Sequence, residues 1–404
     1  MSPNQKQAPS RGQIPIVVLT GGGSGGHITP LLSLAHALKA KDPKCRIIYI
    51  GLKGDKIETT GGRYEVFDSI CYISSGKFRR YHDESLASHL KDPKTLALNF
   101  VDVFKVVLGT FSAWRLLKKH RPSVIFSKGG YVVVPAGVAA HILGVPIVTH
   151  DSDAAAGLAN RIIGRWAQVH ATGMPAHYYS YPKDTIRYTG IPIDERVKPV
   201  NEDLQRLLRR LVDLPADSLV LVVAGGGLGS QRLNELMIKI SPSLFEKYPK
   251  LRIVHFSGSG HQDSVAEHYR RELGADMPER VKVIGFSSDF YAYTGAADVV
   301  LARAGATTLA ELAVQQKAAI IIPSPFLTGG HQLRNAEELT TQGAAKVLPN
   351  DVSPQKLLKI LDELLQNKQM RAELEQKISA LARPDAAAKI AEILLQISTH
   401  HVWT

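Results

Sequence analysis

Two glycine turns that each run from an apolar stretch into a helical pattern are the residues best placed to do chemistry. The first is Thr20-Gly21-Gly22-Gly23-Ser24-Gly25-Gly26-His27, between the apolar run Ile14–Leu19 and a helical pattern from Leu31 to Lys39. Glycine lets the backbone approach a ligand closely, and the N-terminus of a helix carries a positive partial charge, so the pattern suits a phosphate. His27 at the mouth of the turn can act as a general base, donate a hydrogen bond to a phosphate, or merely cap the helix. A second turn, Gly225-Gly226-Gly227-Leu228-Gly229-Ser230, lies between Leu219–Ala224 and the helical Arg232–Lys239. The first is not a triphosphate loop, because that motif ends in Gly-Lys-Ser/Thr and here Gly26 is followed by His27. A dinucleotide dehydrogenase is also disfavoured, since Gly51-Leu52-Lys53 stands where an acidic residue is needed at the end of the second strand.

The most specific stretch is Ala302-Arg303-Ala304-Gly305-Ala306-Thr307-Thr308-Leu309-Ala310-Glu311. A strand ends there and a turn of small residues exposes a helix N-terminus, which suits a diphosphate. Glu311 lies two turns into that helix, where a carboxylate can accept hydrogen bonds from two ribose hydroxyls. Downstream, Gly329-Gly330-His331-Gln332 opens another helix. His331 and Gln332 can bond sugar hydroxyls, and Asn335, one turn on, shares their face.

The elements that must position these residues alternate strand and helix, the mark of parallel sheets with crossover helices. The first half reads as strands Ile14–Leu19, Cys45–Gly51, Ser123–Ser127, Pro146–His150, Val169–Ala171 and Ile186–Tyr188. Its helices are Pro30–Lys41, Thr95–His120, Pro135–Leu143 and Gly157–Ala167. Pro192 and Pro199 stiffen a linker. The second half repeats the grammar, with strands Leu219–Ala224, Arg252–Phe256, Val281–Ile284, Val299–Leu301, Ala319–Ile322 and Ala345–Leu348. The expected organisation is a disordered tail 1–13, one Rossmann-like domain 14–195, a second 196–383, and a C-terminal helix in 384–404.

At 404 residues, 44% hydrophobic and 21% charged, the chain can bury two full cores. Its two cysteines, Cys45 and Cys71, give neither a disulfide framework nor a metal-ligand spacing, which indicates a reduced chain. A net charge of +12 favours an acidic partner: a nucleic acid, an anionic membrane or a phosphorylated substrate. No known RNA-binding signature accompanies the charge, which argues against a nucleic-acid binder. The longest apolar tract, Val132–Val148, carries two prolines and a histidine and is too short to span a bilayer. The loop Gly76-Lys77-Phe78-Arg79-Arg80-Tyr81 suits acceptor or membrane contact, with Phe78 and Tyr81 entering the interface and Arg79 and Arg80 meeting anionic headgroups. For the stripe Phe100, Phe104, Leu108, Phe111 and Leu116 on the following helix, core packing is the expectation.

These motifs, together with Lys128-Gly129-Gly130-Tyr131, His150-Asp151-x-x-Ala154-x-Ala156-Gly157-x-x-Asn160 and Pro384-Asp385-Ala386, resemble the bacterial MurG family of N-acetylglucosaminyltransferases from about Ile16 to Ile397. The resemblance implies an α/β chain of two facing Rossmann-like domains, the GT-B glycosyltransferase type, with its last helix returning to the first domain. It implies that the second domain binds UDP-N-acetylglucosamine, with the diphosphate near Gly305, Ala306 and Thr307 and with Gly227, Ser287, Arg303 and Asn335 also among the donor-binding residues. The ribose would meet Glu311, the uracil the loop around Phe286–Asp289, and the sugar hydroxyls His331 and Gln332. The first domain would take an undecaprenyl-diphosphate-linked acceptor at Gly22, Gly23, Ser24, Gly25, Gly26, Gly129, Gly130 and Tyr131. Transfer would be inverting, with His27 or Asp153 as the catalytic residues, no cofactor and no metal. The cytoplasmic face of the cell membrane would be its site.

This chain departs from the family pattern at three places. Asp151 and Asp153 stand where Glu and Asn are usual, and an ionised Asp153 can accept a proton but repels a diphosphate. Gly227 and Leu228 replace a serine and a glutamine, leaving only backbone donors in that loop. Asp194 stands where Arg is common. Two other readings are a UDP-sugar transferase for another lipid such as diacylglycerol, and a non-catalytic nucleotide-sugar-binding protein.

Overall fold

The computed structural model describes residues 14–22, 25–55, 63–76, 93–274, 277–326, 330–401 and 403. The chain forms two compact units, one ending at Asp194 and resuming at Asp385, the other running Glu195–Pro384.

The first unit holds a seven-stranded parallel sheet. Its strands are β1 (Ile16–Thr20), β2 (Arg46–Leu52), β3 (Ser69–Ile73), β4 (Val124–Ser127), β5 (Ile147–Asp151), β6 (Ala167–Thr172) and β7 (Ile186–Tyr188), in the order β3-β2-β1-β4-β5-β6-β7. Val and Ile fill the central strands on both faces, the composition of a parallel sheet covered on both sides. The helices are α1 (Gly25–Lys41), α2 (Pro93–His120), α3 (Val133–Ile142) and α4 (Leu158–Ile163). The expected helix 157–167 is shorter. A single 3-10 turn, Gly164–Trp166, ends it and Ala167 begins β6. Glycine is needed at that turn because a Cβ on Gly164 would lie 2.9 Å from the His170 ring.

The second unit has six parallel strands: β8 (Leu219–Ala224), β9 (Leu251–Phe256), β10 (Val281–Ile284), β11 (Val299–Ala302), β12 (Ala319–Ile321) and β13 (Lys346–Val347), ordered β10-β9-β8-β11-β12-β13. Its helices are α5 (Glu202–Leu211), α6 (Gln231–Lys247), α7 (Gln262–Leu273), α8 (Met277–Arg280), α9 (Phe290–Ala296), α10 (Ala306–Gln315), α11 (His331–Thr341), α12 (Pro354–Gln366) and α13 (Lys368–Ser379).

The last helix, α14 (Ala386–Ser398), packs back on the first unit. Ile390, Ala391 and Leu394 are buried with Leu31, Leu34 and Leu38 of α1. Beyond it, the Trp403 indole donates to the Pro122 carbonyl at 2.8 Å.

The expectation that the stripe of α2 packs in the core is corrected for Phe100, Phe104, Leu108 and Phe111, while Leu116 packs partly buried against the core. Phe100 is 75% exposed, and Phe104, Leu108 and Phe111 are also exposed. The face that α2 buries carries Gly109, Ala113 and Leu117, set against Val133 and Ala136 of α3. Gly109 is required on that face: a Cβ there would collide with the Ser74 carbonyl. The close approach of the small residues turns the larger aromatics outwards. Among the described residues no helix is long and apolar enough to cross a membrane.

Candidate functional site

In each sheet the strand order reverses beside the first strand, at β1/β4 and at β8/β11. Parallel sheets of this kind bind ligands outside the carboxyl ends of the strands at such a switch point. The glycine turns after β1 and β4, and the turns after β8 and β11, lie at these two places.

In the first unit, the turns after β1, β4 and β5 converge. Gly129 and Gly130 adopt φ of +102° and +87°, which side-chain-bearing residues rarely adopt. A Cβ on Gly130 would also collide with the Gly22 carbonyl, so the two glycine turns touch backbone to backbone. The Tyr49 hydroxyl donates to the Gly21 carbonyl at 2.8 Å, and the Ser75 hydroxyl donates to the Tyr131 carbonyl at 2.7 Å. Gly25 and Gly26 open α1 and His27 is its third residue, while the expected start was Pro30. The His27 side chain, Gly23, Ser24 and the segment Phe78, Arg79, Arg80 and Tyr81 lie outside the described residues.

The turn after β5 is held by Asp151, a buried carboxylate. Its Oδ1 accepts from the Gly157 amide at 2.9 Å and from Asn160 Nδ2 at 3.0 Å, and its Oδ2 accepts from the Tyr181 hydroxyl at 2.9 Å. Burial pushes this carboxyl above the ordinary range, against the hydrogen bonds that favour its charge. Asn160 also donates to the His150 carbonyl and Ser127 donates to Asn160 Oδ1, so one amide joins β4, β5 and α4. His150 is buried and its Nε2 donates to the Gly190 carbonyl at 3.0 Å, and desolvation lowers its pKa to about 3. Asp153, half-buried two residues beyond Asp151, has its carbonyl held by the Tyr179 hydroxyl at 2.8 Å.

In the second unit, α10 begins at Ala306 after Gly305, and no side chain caps it. The first-turn N–H groups therefore lack a side-chain acceptor. A Cβ on Gly305 would meet only Thr308 Oγ1, at 3.8 Å, so the space before the helix is open. Thr307 sits in its first turn and Glu311 is half-buried further along. The other glycine turn behaves differently. Ser230 caps α6 by accepting from the Leu233 amide, and its hydroxyl also accepts from Arg303 Nε at 2.9 Å. Gly227 and Leu228 are exposed at the tip of that turn, and Gly229 fits against the Ser257 carbonyl where a Cβ would collide.

Arg303 is 8% exposed and serves as a strut. Besides Ser230 it donates to the Ile322 carbonyl at 2.9 Å, the Pro323 carbonyl at 3.3 Å and Asn350 Oδ1 at 2.7 Å. Burial, and then the neighbouring Arg232, lower its pKa to about 10. Arg232 in turn donates to the Asn350 and Val352 carbonyls. Together they frame a pocket of about 470 Å³ whose walls include Gly229, Arg232, Arg303, Phe326, Gln332 and Asn350. Gln332 Oε1 accepts from the Ser324 amide, which ties α11 to the turn after β12. Asn335 is 1% exposed and donates to the Ala304 carbonyl at 3.0 Å, while His331 is half-buried at the first position of α11. Ser287 accepts from the Asp289 amide, and Asp289 pairs with Arg196 at 2.8 Å. Lys128, Ser152, Arg232 and Asn350 had no assigned role in the sequence. Lys128 alone left a signal, as a cation placed directly before Gly129-Gly130.

Two family descriptions match this chain: Glycosyltransferase family 28 N-terminal domain over residues 17–172, and its C-terminal domain over residues 220–390. A protein of Natranaerobius thermophilus named UDP-N-acetylglucosamine–N-acetylmuramyl-(pentapeptide) pyrophosphoryl-undecaprenol N-acetylglucosamine transferase is 31% identical over 382 residues, 94% of this chain and 98% of its own. A Bacillus cereus protein of the same name, numbered 2, is 34% identical over 388 residues, 95% of this chain and 99% of its own. The chain belongs to glycosyltransferase family 28, and within it to the MurG family. The crystal structure of Acinetobacter baumannii MurG is similar in fold, with 25% identity and a TM-score of 0.67 over 95% of this chain and 99% of that one. The two parallel-sheet units are thus the GT-B architecture. Among the described residues no group of His, Cys, Asp and Glu is arranged to hold a metal ion.

Proposed function

We propose that this chain transfers N-acetylglucosamine from UDP-N-acetylglucosamine to the 4-hydroxyl of undecaprenyl-diphosphate-linked N-acetylmuramoyl-pentapeptide, the step that makes lipid II from lipid I in peptidoglycan synthesis. The observation that carries this reading is the match, at 31–34% identity and nearly end to end, to proteins bearing that name.

The second unit takes the donor. Its diphosphate meets the uncapped N-terminus of α10 at Gly305, Ala306 and Thr307, near Gly227, where backbone N–H groups and the helix dipole stabilise the charge. Glu311 accepts from the ribose and the uracil lies by Ser287. The sugar is read by His331 and Gln332, with Asn335 and Arg303 holding the turns around it. The first unit takes the acceptor, with its diphosphate on the glycine turns Gly21–Gly26 and Gly129–Gly130 beside Tyr131. The acceptor hydroxyl attacks the anomeric carbon as the bond to UDP breaks. His27 or Asp153 takes the hydroxyl proton, and the departing diphosphate leaves with the electron pair.

The exposed stripe of α2 supports a peripheral place on the cytoplasmic face of the membrane. Phe100, Phe104, Val107 and Phe111 are solvent-exposed, with Arg115, Lys118 and Lys119 at the end of the same helix. An apolar face flanked by cations suits an anionic lipid surface. Purified protein should incorporate labelled N-acetylglucosamine into the undecaprenyl-linked acceptor and not into diacylglycerol offered alongside it. Label in diacylglycerol alone would reassign the acceptor, and tight UDP-sugar binding without turnover would leave a sensor.

A further inference from the structure

Lys128 directly follows β4, at the point where the three turns of the first unit meet. Its amide donates to the Thr20 carbonyl at 2.9 Å, and its Cβ lies 3.0 Å from where a Cβ on Gly21 would be. It is therefore flanked by both glycine turns. The residue is 5% exposed, yet among the described residues its ammonium makes a single hydrogen bond, to Ser152 Oγ at 2.7 Å. An ammonium carries three donors, and burying one with two of them unfilled is costly unless something anionic completes the set.

The carboxylates closest to hand do not complete it. Asp153 and Asp151 lie near enough to favour the charge of Lys128, but the oxygens of Asp151 are already engaged by Gly157, Asn160 and Tyr181. Burial lowers the Lys128 pKa to about 8, which still leaves the ammonium largely charged at neutral pH. The charge also answers the objection that Asp153 repels a phosphate: a cation between the carboxylates and the glycine turns offsets that repulsion.

We propose that Lys128 is a substrate-contacting residue, whose ammonium meets a phosphate oxygen of the acceptor's diphosphate and is held in place by Ser152. The inference rests on the acceptor reading above. It adds a side-chain cation to a site otherwise built from backbone donors, and such a charge-assisted contact is about twice as strong as a neutral one.

The test uses the full chain with Lys128→Gln and Ser152→Ala, with inorganic pyrophosphate as the probe of the phosphate site. Lys128→Gln should raise the acceptor KM, and the inhibition constant of pyrophosphate competing with acceptor, by about tenfold or more, while the donor KM changes less than about twofold. Ser152→Ala, which keeps the charge but frees it, should raise the acceptor KM by a smaller factor. Lys128→Cys treated with 2-bromoethylamine, which restores an ammonium, should recover acceptor affinity. A folded Lys128→Gln variant with unchanged acceptor KM and pyrophosphate inhibition would overturn the proposal, as would an equal rise in both KM values. Should Lys128→Gln not fold, Ser152→Ala decides by the same split between acceptor and donor. A wild-type chain that binds pyrophosphate through Lys128 but transfers nothing to the lipid-linked acceptor would sink the functional reading and leave this site standing.

Discussion

Replacing Arg303 by Met keeps an unbranched apolar stem while removing four hydrogen bonds. The acceptors left behind are Ser230 Oγ, the Ile322 and Pro323 carbonyls and Asn350 Oδ1. Ser230 still accepts from the Leu233 amide, and removal of the guanidinium also relieves its own desolvation. The losses therefore do not add to four full bonds. Stranding the two buried carbonyls and the Asn350 amide oxygen costs about 1–3 kcal/mol each at most, and the relieved desolvation of the guanidinium offsets part of it, for a net of about 2–4 kcal/mol. Because Arg303 ties together the turns after β8, β12 and β13, the pocket should loosen with it. Denaturant unfolding should show the second unit destabilised by about 2–4 kcal/mol. Calorimetry should show UDP binding weakened by about tenfold, or ~1.4 kcal/mol. Unfolding and UDP affinity both at the wild-type level would refute the idea that this arginine frames the donor pocket.

Stability should fall as the pH drops below about 6.5, because His150, His170 and His255 are held neutral by burial, with pKa values lowered to about 3, 4 and 3, while the unfolded chain protonates them near pH 6.5. The stabilising preference for the neutral form is present above the unfolded value and is lost towards the folded ones, at about 1.4 kcal/mol per histidine per pH unit; unfolding midpoints at pH 7.5 and 5.5 that coincide would contradict it. Phe104→Ser combined with Phe111→Ser should lower binding to anionic vesicles by about tenfold or more per residue, from the loss of about 1.5–3 kcal/mol of apolar burial at each. Sedimentation with vesicles would detect this, and binding equal to wild type would remove the α2 face from membrane contact.

Strand positions were legible because buried parallel strands are short Val- and Ile-rich runs between turns. β7, β8 and β10 fall at the expected bounds. β3 was not anticipated, since Ser69-Ile70-Cys71-Tyr72-Ile73 is an edge strand with an irregular, half-buried pattern. The early start of α1 was hidden by its glycines and by Pro30, which reads as a first-turn proline yet lies inside the helix. For α2 the periodicity gave an apolar face but not which way it points, which the small residues Gly109 and Ala113 decide by packing closely. Candidate-site residues in local motifs, such as Gly305 with its uncapped helix, could be read directly. Contacts across long separations could not. The bond from Arg303 to Asn350, the pairing of Arg232 with the same loop, and the reach of Lys128 to Ser152 depend on which strands lie side by side.

The most direct test of the account is product analysis after the purified chain is given UDP-N-acetylglucosamine and undecaprenyl-diphosphate-N-acetylmuramoyl-pentapeptide. The account predicts one UDP released for each sugar transferred, and a new β-linkage to the muramoyl 4-hydroxyl, inverted from the α-linkage of the donor. Retention of the α configuration, UDP release without a disaccharide product, or sugar attached elsewhere on the acceptor would contradict it.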